Sequence, residues 1–202
     1  MITAQEALLR LKDGNRRYTT DSCEAGLSYK ASREAVAKKQ EPFAIILGCA
    51  DSRVPAEVVF DQSIGDLFVV RVAGNIVTPS QLESIEFAAT NFGSCLAVVL
   101  GHTSCGAVIA TLGAVQEGIS DEEAGLPEIV SHVRPAVAAV LDDPSAAADE
   151  LVPRAIRANI AQSVEQLRSG SPALKALVDS GKLKVVGAEY SLVTGEVEFL
   201  DG

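Results

Sequence analysis

Phe43-Ala-Ile-Ile-Leu-Gly-Cys-Ala-Asp-Ser-Arg53 decides how this chain folds. Residues 43–47 are continuously apolar and bounded by Pro42 and Gly48, so they read as a short strand buried on both faces. The pattern returns in Leu96-Ala-Val-Val-Leu-Gly-His-Thr-Ser-Cys105, again an apolar run, a glycine and then polar side chains of ligand type. Both segments therefore begin at the carboxyl end of a buried strand. In open parallel sheets that edge, at a switch point, is where ligands and catalytic groups gather. The two glycines permit a sharp turn and a close approach of the backbone to whatever sits there.

Working outward, residues 3–18 read as an opening amphipathic helix, with Thr3 and Glu6 as a capping pair and Ala7, Leu8 and Leu11 on one face. Ser32 to Gln40 reads as a second helix stopped by Pro42. Leu67-Phe-Val-Val-Arg-Val72 reads as a strand, and Pro79 to Phe92 as a helix with Thr78 as its cap. Lys184-Val-Val-Gly-Ala-Glu-Tyr190 supplies a further strand. A turn at Thr194-Gly195 precedes an alternating edge strand over 196–200. Between 106 and 180 the pattern is mostly helical, with breaks at Gly125-Leu-Pro127, Asp142-Asp-Pro144 and Ser169-Gly-Ser-Pro172. The expectation is one α/β domain over 1–202. It has a helical arm at 1–40 and a core at 41–202, with a central, mainly parallel sheet of four strands plus an antiparallel edge strand, flanked by helices.

Composition bounds the function. With 202 residues, 48% hydrophobic and 22% charged, this is an ordinary globular chain and not a disordered or fibrous one. A formal charge of −10 argues against nucleic acid, whose phosphates need clustered Lys and Arg, and equally against anionic membranes. No stretch of about 18 apolar residues exists to span a bilayer. The first residues lack the basic-then-apolar order of a signal peptide, so a cytoplasmic protein with reduced thiols is expected.

The chemistry lies in Cys49, Asp51, Arg53, His102 and Cys105. Two thiolates and one imidazole are the ligands that tetrahedral zinc takes, and the chain has only 4 Cys and 2 His to offer. Three protein ligands leave a fourth position open, which is the catalytic pattern, whereas structural zinc sites close with four. Cys105 precedes an expected helix, whose N-terminus favours a thiolate. Asp51 either fills the fourth position or turns away. Arg53 favours the second course, since a guanidinium holds a carboxylate in a bidentate pair. Asp51 is then free to accept a hydrogen bond from a metal-bound hydroxide. Cys23 and Cys95 have no ligand-type neighbours and read as ordinary thiols. His132 reads as a surface or packing residue, and Asp121-Glu-Glu123 as a solvated helix start.

The motifs Cys49-x-Asp-x-Arg53 and His102-x-x-Cys105 together resemble those of the β-class carbonic anhydrases. Asp51-Ser-Arg-Val-Pro55, Gly65-Asp-Leu-Phe-Val-Val-Arg71 and Ser84-Ile-Glu-Phe-Ala88 extend the likeness along most of the chain. The resemblance implies one Zn2+ per chain, held by Cys49, His102 and Cys105. It implies the interconversion of carbon dioxide and bicarbonate by a zinc-bound hydroxide that Asp51 and Arg53 orient. It places Gln40, Phe68, Ala73, Phe87 and Gly106 in the substrate pocket. Val72 would lie nearby. It also implies a homodimer or a tetramer of dimers, with the opening helix reaching across a neighbour and the pocket at the subunit interface. Ile46 stands where the bicarbonate-regulated branch carries Trp, although Arg71 and Tyr190 match its other positions. An open, plant-like site without that regulation is the expectation.

Competing chemistries fare unequally. A phosphate-binding cysteine loop would need a longer span than Cys49 to Arg53 and would be repelled by Asp51, and no Cys-x-x-Cys exists for redox work. A hydrolase of a sulfur analogue such as carbon disulfide, and a non-catalytic zinc scaffold, remain alternatives on the same ligand set.

Overall fold

The computed structural model describes residues 2–25 and 29–200. Five strands, β1 (Ala44–Gly48), β2 (Leu67–Arg71), β3 (Leu96–His102), β4 (Lys184–Tyr190) and β5 (Val197–Leu200), form one sheet in the order β2-β1-β3-β4-β5. The first four are parallel and β5 is antiparallel to β4. This is the expected architecture, antiparallel edge included. The chain runs from β1 outward to β2 on one side and then crosses to β3 on the other. The β1/β3 junction is therefore the switch point, where connections leave a crevice at the carboxyl edge.

Eight helices pack around the sheet among the described residues: α1 (Ala4–Thr19), α2 (Tyr29–Val36), α3 (Ala56–Val59), α4 (Pro79–Asn91), α5 (Gly106–Glu117), α6 (Pro127–Leu141), α7 (Leu151–Ser169) and α8 (Pro172–Asp179). Strand side chains alternate between faces. Ile45, Leu47, Ala97, Val99 and Val185 join a core with α4 to α8, while Ala44, Ile46, Val98, Leu100 and Val186 face α1 and α3. β1 is buried throughout because both faces are covered. Helix α1 carries the expected capping box at Thr3 and Glu6. It lies on its own chain's sheet through Ala7, Leu8 and Leu11. No described helix is long and apolar enough to cross a membrane.

Several local expectations shift. The second helix starts at Tyr29 and ends at Val36, short of Gln40, where the Lys39 N–H closes a turn on the Val36 carbonyl. Thr78 sits at the N-cap of α4, but its hydroxyl caps no backbone amide and meets the Gln81 side chain instead. Asp121-Glu-Glu123 starts no helix. Ser120 and Glu123 bond each other across a turn, and Asp121 pairs with Arg134. Gly48 and Gly101 turn nothing, since both remain in strand. At Gly101 the requirement is space. A Cβ there would lie 2.5 Å from Cδ1 of Ile160, the α7 side chain that sits over it. β3 runs on through Gly101 to His102 because its ladder with β4 continues to the pair His102–Tyr190.

Candidate metal centre

Cys49 follows β1 directly, His102 ends β3, and Cys105 is the N-cap of α5, so the switch-point crevice collects all three. Ser104 takes a left-handed conformation, φ 57°, within the two-residue link that brings Cys105 back beside His102. The sulfurs of Cys49 and Cys105 and a ring nitrogen of His102 lie within 4.8 Å of one another, and all three residues are buried. All four cysteines are free thiols.

The imidazole reports its own role. Nδ1 of His102 is 2.9 Å from the Thr103 carbonyl, which fixes the proton on Nδ1 and leaves the lone pair on Nε2. Nε2 is buried and has no hydrogen-bond partner among the described residues. An orphaned buried acceptor is costly unless something completes it. Two thiols and this nitrogen are a zinc donor set, and the residues fit the ion. Thr103 is itself held from β4. Its N–H donates to the Tyr190 carbonyl at 2.9 Å, and its hydroxyl accepts from the Leu192 N–H at 3.0 Å.

The thiols compete for one proton. The neighbouring Cys105 thiol holds Cys49 far below the usual thiol range, against the upward push of burial. The same contact, with burial, drives Cys105 up, while the amides of Ala107 and Val108 at the start of α5 pull it the other way. Burial pushes His102 down, but the Cys49 thiolate, the Thr103 carbonyl and Asp51 carry it upward. A cation held by the three groups would take the place of those protons.

Asp51 and Arg53 form a bidentate pair. Nε donates to Oδ1 at 2.9 Å and Nη2 to Oδ2 at 2.7 Å, and the Arg53 backbone N–H adds a third bond to Oδ1 at 2.9 Å. The Arg53 guanidinium holds the Asp51 carboxyl well below the usual carboxylate range. Oδ2 lies 3.9 Å from Nε2 of His102, so the carboxylate stands beside the ligand cluster while turned toward arginine.

The other candidates are more scattered. Phe68 is half-buried and packs on the core that contains Cys49, with its ring 6.0 Å from that of Phe92. Phe87 meets Phe92 edge-on and is 51% exposed. Ala73 begins a short 3-10 turn at Ala73–Asn75, with Val72 before it, and Gly106 begins α5. Gln40 is exposed and lines a groove with Val36, Ile64, Leu67 and Phe92, a lining that includes no member of the cysteine–histidine cluster. His132 hydrogen-bonds its own helix at the Glu128 carbonyl. Cys95 contacts the Ile2 carbonyl and Cys23 is exposed.

One residue gained a role that sequence reasoning had not given it. Arg71, at the end of β2, donates to the carbonyls of Cys49 at 3.0 Å and Asp51 at 2.6 Å. It braces the loop that carries both. The signal was its place in register with Gly48, which needs the sheet order to be known.

Comparison with known proteins agrees with this geometry. The family described as carbonic anhydrase matches residues 44–197. Carbonic anhydrase 2 of Mycobacterium tuberculosis is 38% identical over 196 residues, covering 95% of this chain and 90% of the relative. Among solved structures, the β-carbonic anhydrase CcaA superposes with a TM-score of 0.74 at 27% identity, covering 97% of this chain and 96% of that one. The Coccomyxa β-carbonic anhydrase, solved in complex with acetazolamide, gives 0.75 at 26% identity, covering 96% and 85%.

Proposed function

This chain belongs to the carbonic anhydrase family, in its β class, and on that premise we propose that it binds one Zn2+ and interconverts carbon dioxide and bicarbonate. Cys49, His102 and Cys105 hold the ion. The observation that carries this reading is the buried, unpartnered Nε2 of His102 beside two thiols. Bound there, zinc supplies a nucleophile at neutral pH by lowering the pKa of water.

The chain's own groups do the rest. Arg53 keeps the Asp51 carboxylate ionised and turned from Cys49, His102 and Cys105, which would leave Oδ2 placed to accept a hydrogen bond from the nucleophile and orient it toward carbon dioxide. Arg71 holds the loop carbonyls on which that orientation depends. His102 stays in one tautomer through Thr103. Bicarbonate leaves and one proton is exported per turnover. Phe68, Ala73 and Gly106 supply the near wall of the substrate pocket. Gln40 and Phe87 lie on the surface of the single chain, so they join the pocket in a homodimer or a tetramer of dimers, which we take to be the working form. Free cysteines throughout suit a reducing, cytoplasmic compartment.

Stopped-flow hydration of carbon dioxide by the zinc-loaded protein tests this. Turnover well above the buffer rate is expected. Full zinc occupancy with no hydration would refute it, and sulfide release from carbon disulfide in its place would identify a hydrolase of the sulfur analogue.

A further inference from the structure

Behind Cys49 the protein buries a polar group that the proposed chemistry does not use. Asn159 lies in the middle of α7 and is 1% exposed. Asparagine is a poor helix former and a costly residue to bury, so its side chain needs a purpose there. Its Nδ2 donates to the Gly74 carbonyl at 2.7 Å, 85 positions away in sequence, while Oδ1 has no partner among the described residues. Gly74 belongs to the Ala73–Asn75 turn and adopts φ 74°, and Asn75 follows at φ 45°. Two successive left-handed residues, one of them not glycine, persist only where their surroundings hold them.

The turn is held on both sides. A Cβ on Gly74 would stand 3.1 Å from Cβ of Ala107 in the first turn of α5, so α5 presses it from one side. Asn159 grips its carbonyl from the other. The consequence is at the opposite end of the same residue, since the Gly74 N–H points at Sγ of Cys49 with N···S at 3.4 Å.

We propose that Asn159 is a positioning residue for the metal centre, which by fixing Gly74 aims its N–H at the sulfur of Cys49 and sets how strongly that ligand donates. The inference rests on Cys49, His102 and Cys105 being the ligand set. An N–H bonded to a thiolate withdraws electron density from sulfur, so the thiolate donates less charge to the metal. Without the grip on its carbonyl, the Gly74 N–H drifts from sulfur; Cys49 then carries more charge but is held less firmly in place, and the loss of placement outweighs the gain in donation for retention of the ion. Asn159 touches neither substrate nor metal and acts only through Gly74.

The test loads wild type and N159A with Co2+ and reads the thiolate-to-cobalt charge-transfer band in the near ultraviolet. Chelator competition for Zn2+ and circular dichroism accompany it. Folded N159A should show the band moved to longer wavelength, with about 10-fold weaker retention of Zn2+. Should N159A fail to fold, N159S takes its place, because the shorter hydroxyl does not reach the Gly74 carbonyl. A folded variant with an unmoved band and unchanged retention overturns the role of Asn159. Wild type that takes up no Co2+ with thiolate bands overturns the ligand set itself, so the two failures are distinct.

Discussion

Replacing Arg53 by alanine probes how this chain keeps Asp51 off its ligand cluster. Oδ1 of Asp51 receives Nε and the backbone N–H of Arg53, but Oδ2 receives only Nη2. R53A removes both guanidinium bonds and leaves Oδ2 without that donor, 3.9 Å from Nε2 of His102. A carboxylate freed so near a cation becomes its fourth ligand. The stability change is small, because the arginine is largely exposed and the pair is screened. The activity change is large. Losing an oriented acceptor and the open position together should cost about 10²–10³ in kcat, the range seen when one preorganised hydrogen bond is removed from a site. The assay is stopped-flow hydration at matched zinc content for wild type, R53A, D51A and D51A/R53A. Arg53 acts through Asp51, so D51A/R53A should be no slower than D51A alone. A double variant a further tenfold slower, or R53A as active as wild type, would refute this reasoning.

Three further outcomes follow from the geometry. H102A deletes the nitrogen of the donor set, so stoichiometric zinc should be lost on elemental analysis of the purified variant; full zinc retention would exclude His102 as a ligand. Asp61 is buried, which pushes its pKa up, but the N–H groups of Glu24 and Ala25 and the Arg17 guanidinium bring it below its ordinary 3.8. A depressed carboxyl contributes stability above its unfolded value, and that contribution is lost as pH falls through the folded one. D61N should therefore cost about 2–3 kcal/mol in urea unfolding, equally at pH 5 and pH 8, with the difference shrinking below about pH 4. G101A drives a methyl into Ile160 and should cost about 1–3 kcal/mol, a cost that nearly vanishes in an I160A background; additive effects would show that Ile160 is not what excludes the methyl.

The sheet was legible because its four parallel strands are short apolar runs stopped by glycine, proline or charge; burial on both faces imposes that pattern on β1, β3 and β4, while β2 at the edge is only partly buried. The candidate cluster was legible because zinc accepts few donor types, and Cys49 and His102 stood at equivalent strand ends with Cys105 three residues on, groups that the structure brings together. Boundaries set by tertiary pairing were not. β3 continues to His102 because β4 lies beside it, which no property of Leu96–His102 announces. Gly48 and Gly101 looked like turns, yet Gly101 is required by a side chain 59 positions away, a constraint that belongs to packing. The supports of the site were hidden for a related reason. Arg71, Gly74 and Asn159 act through backbone carbonyls and one N–H across long sequence separations, and such bonds leave no residue-type pattern. Gln40 and Phe87 lie on the surface of this chain, so a pocket role for them rests on the proposed oligomer, which a single sequence does not reveal.

The most direct measurement of the zinc and carbon dioxide chemistry is oxygen-18 exchange between carbon dioxide and water, followed by mass spectrometry while zinc is removed and restored. The exchange rate should fall to the buffer value in the stripped protein and climb linearly with added Zn2+ until one ion per chain is bound. Stoichiometric zinc uptake with exchange still at the buffer rate would contradict the proposed function outright.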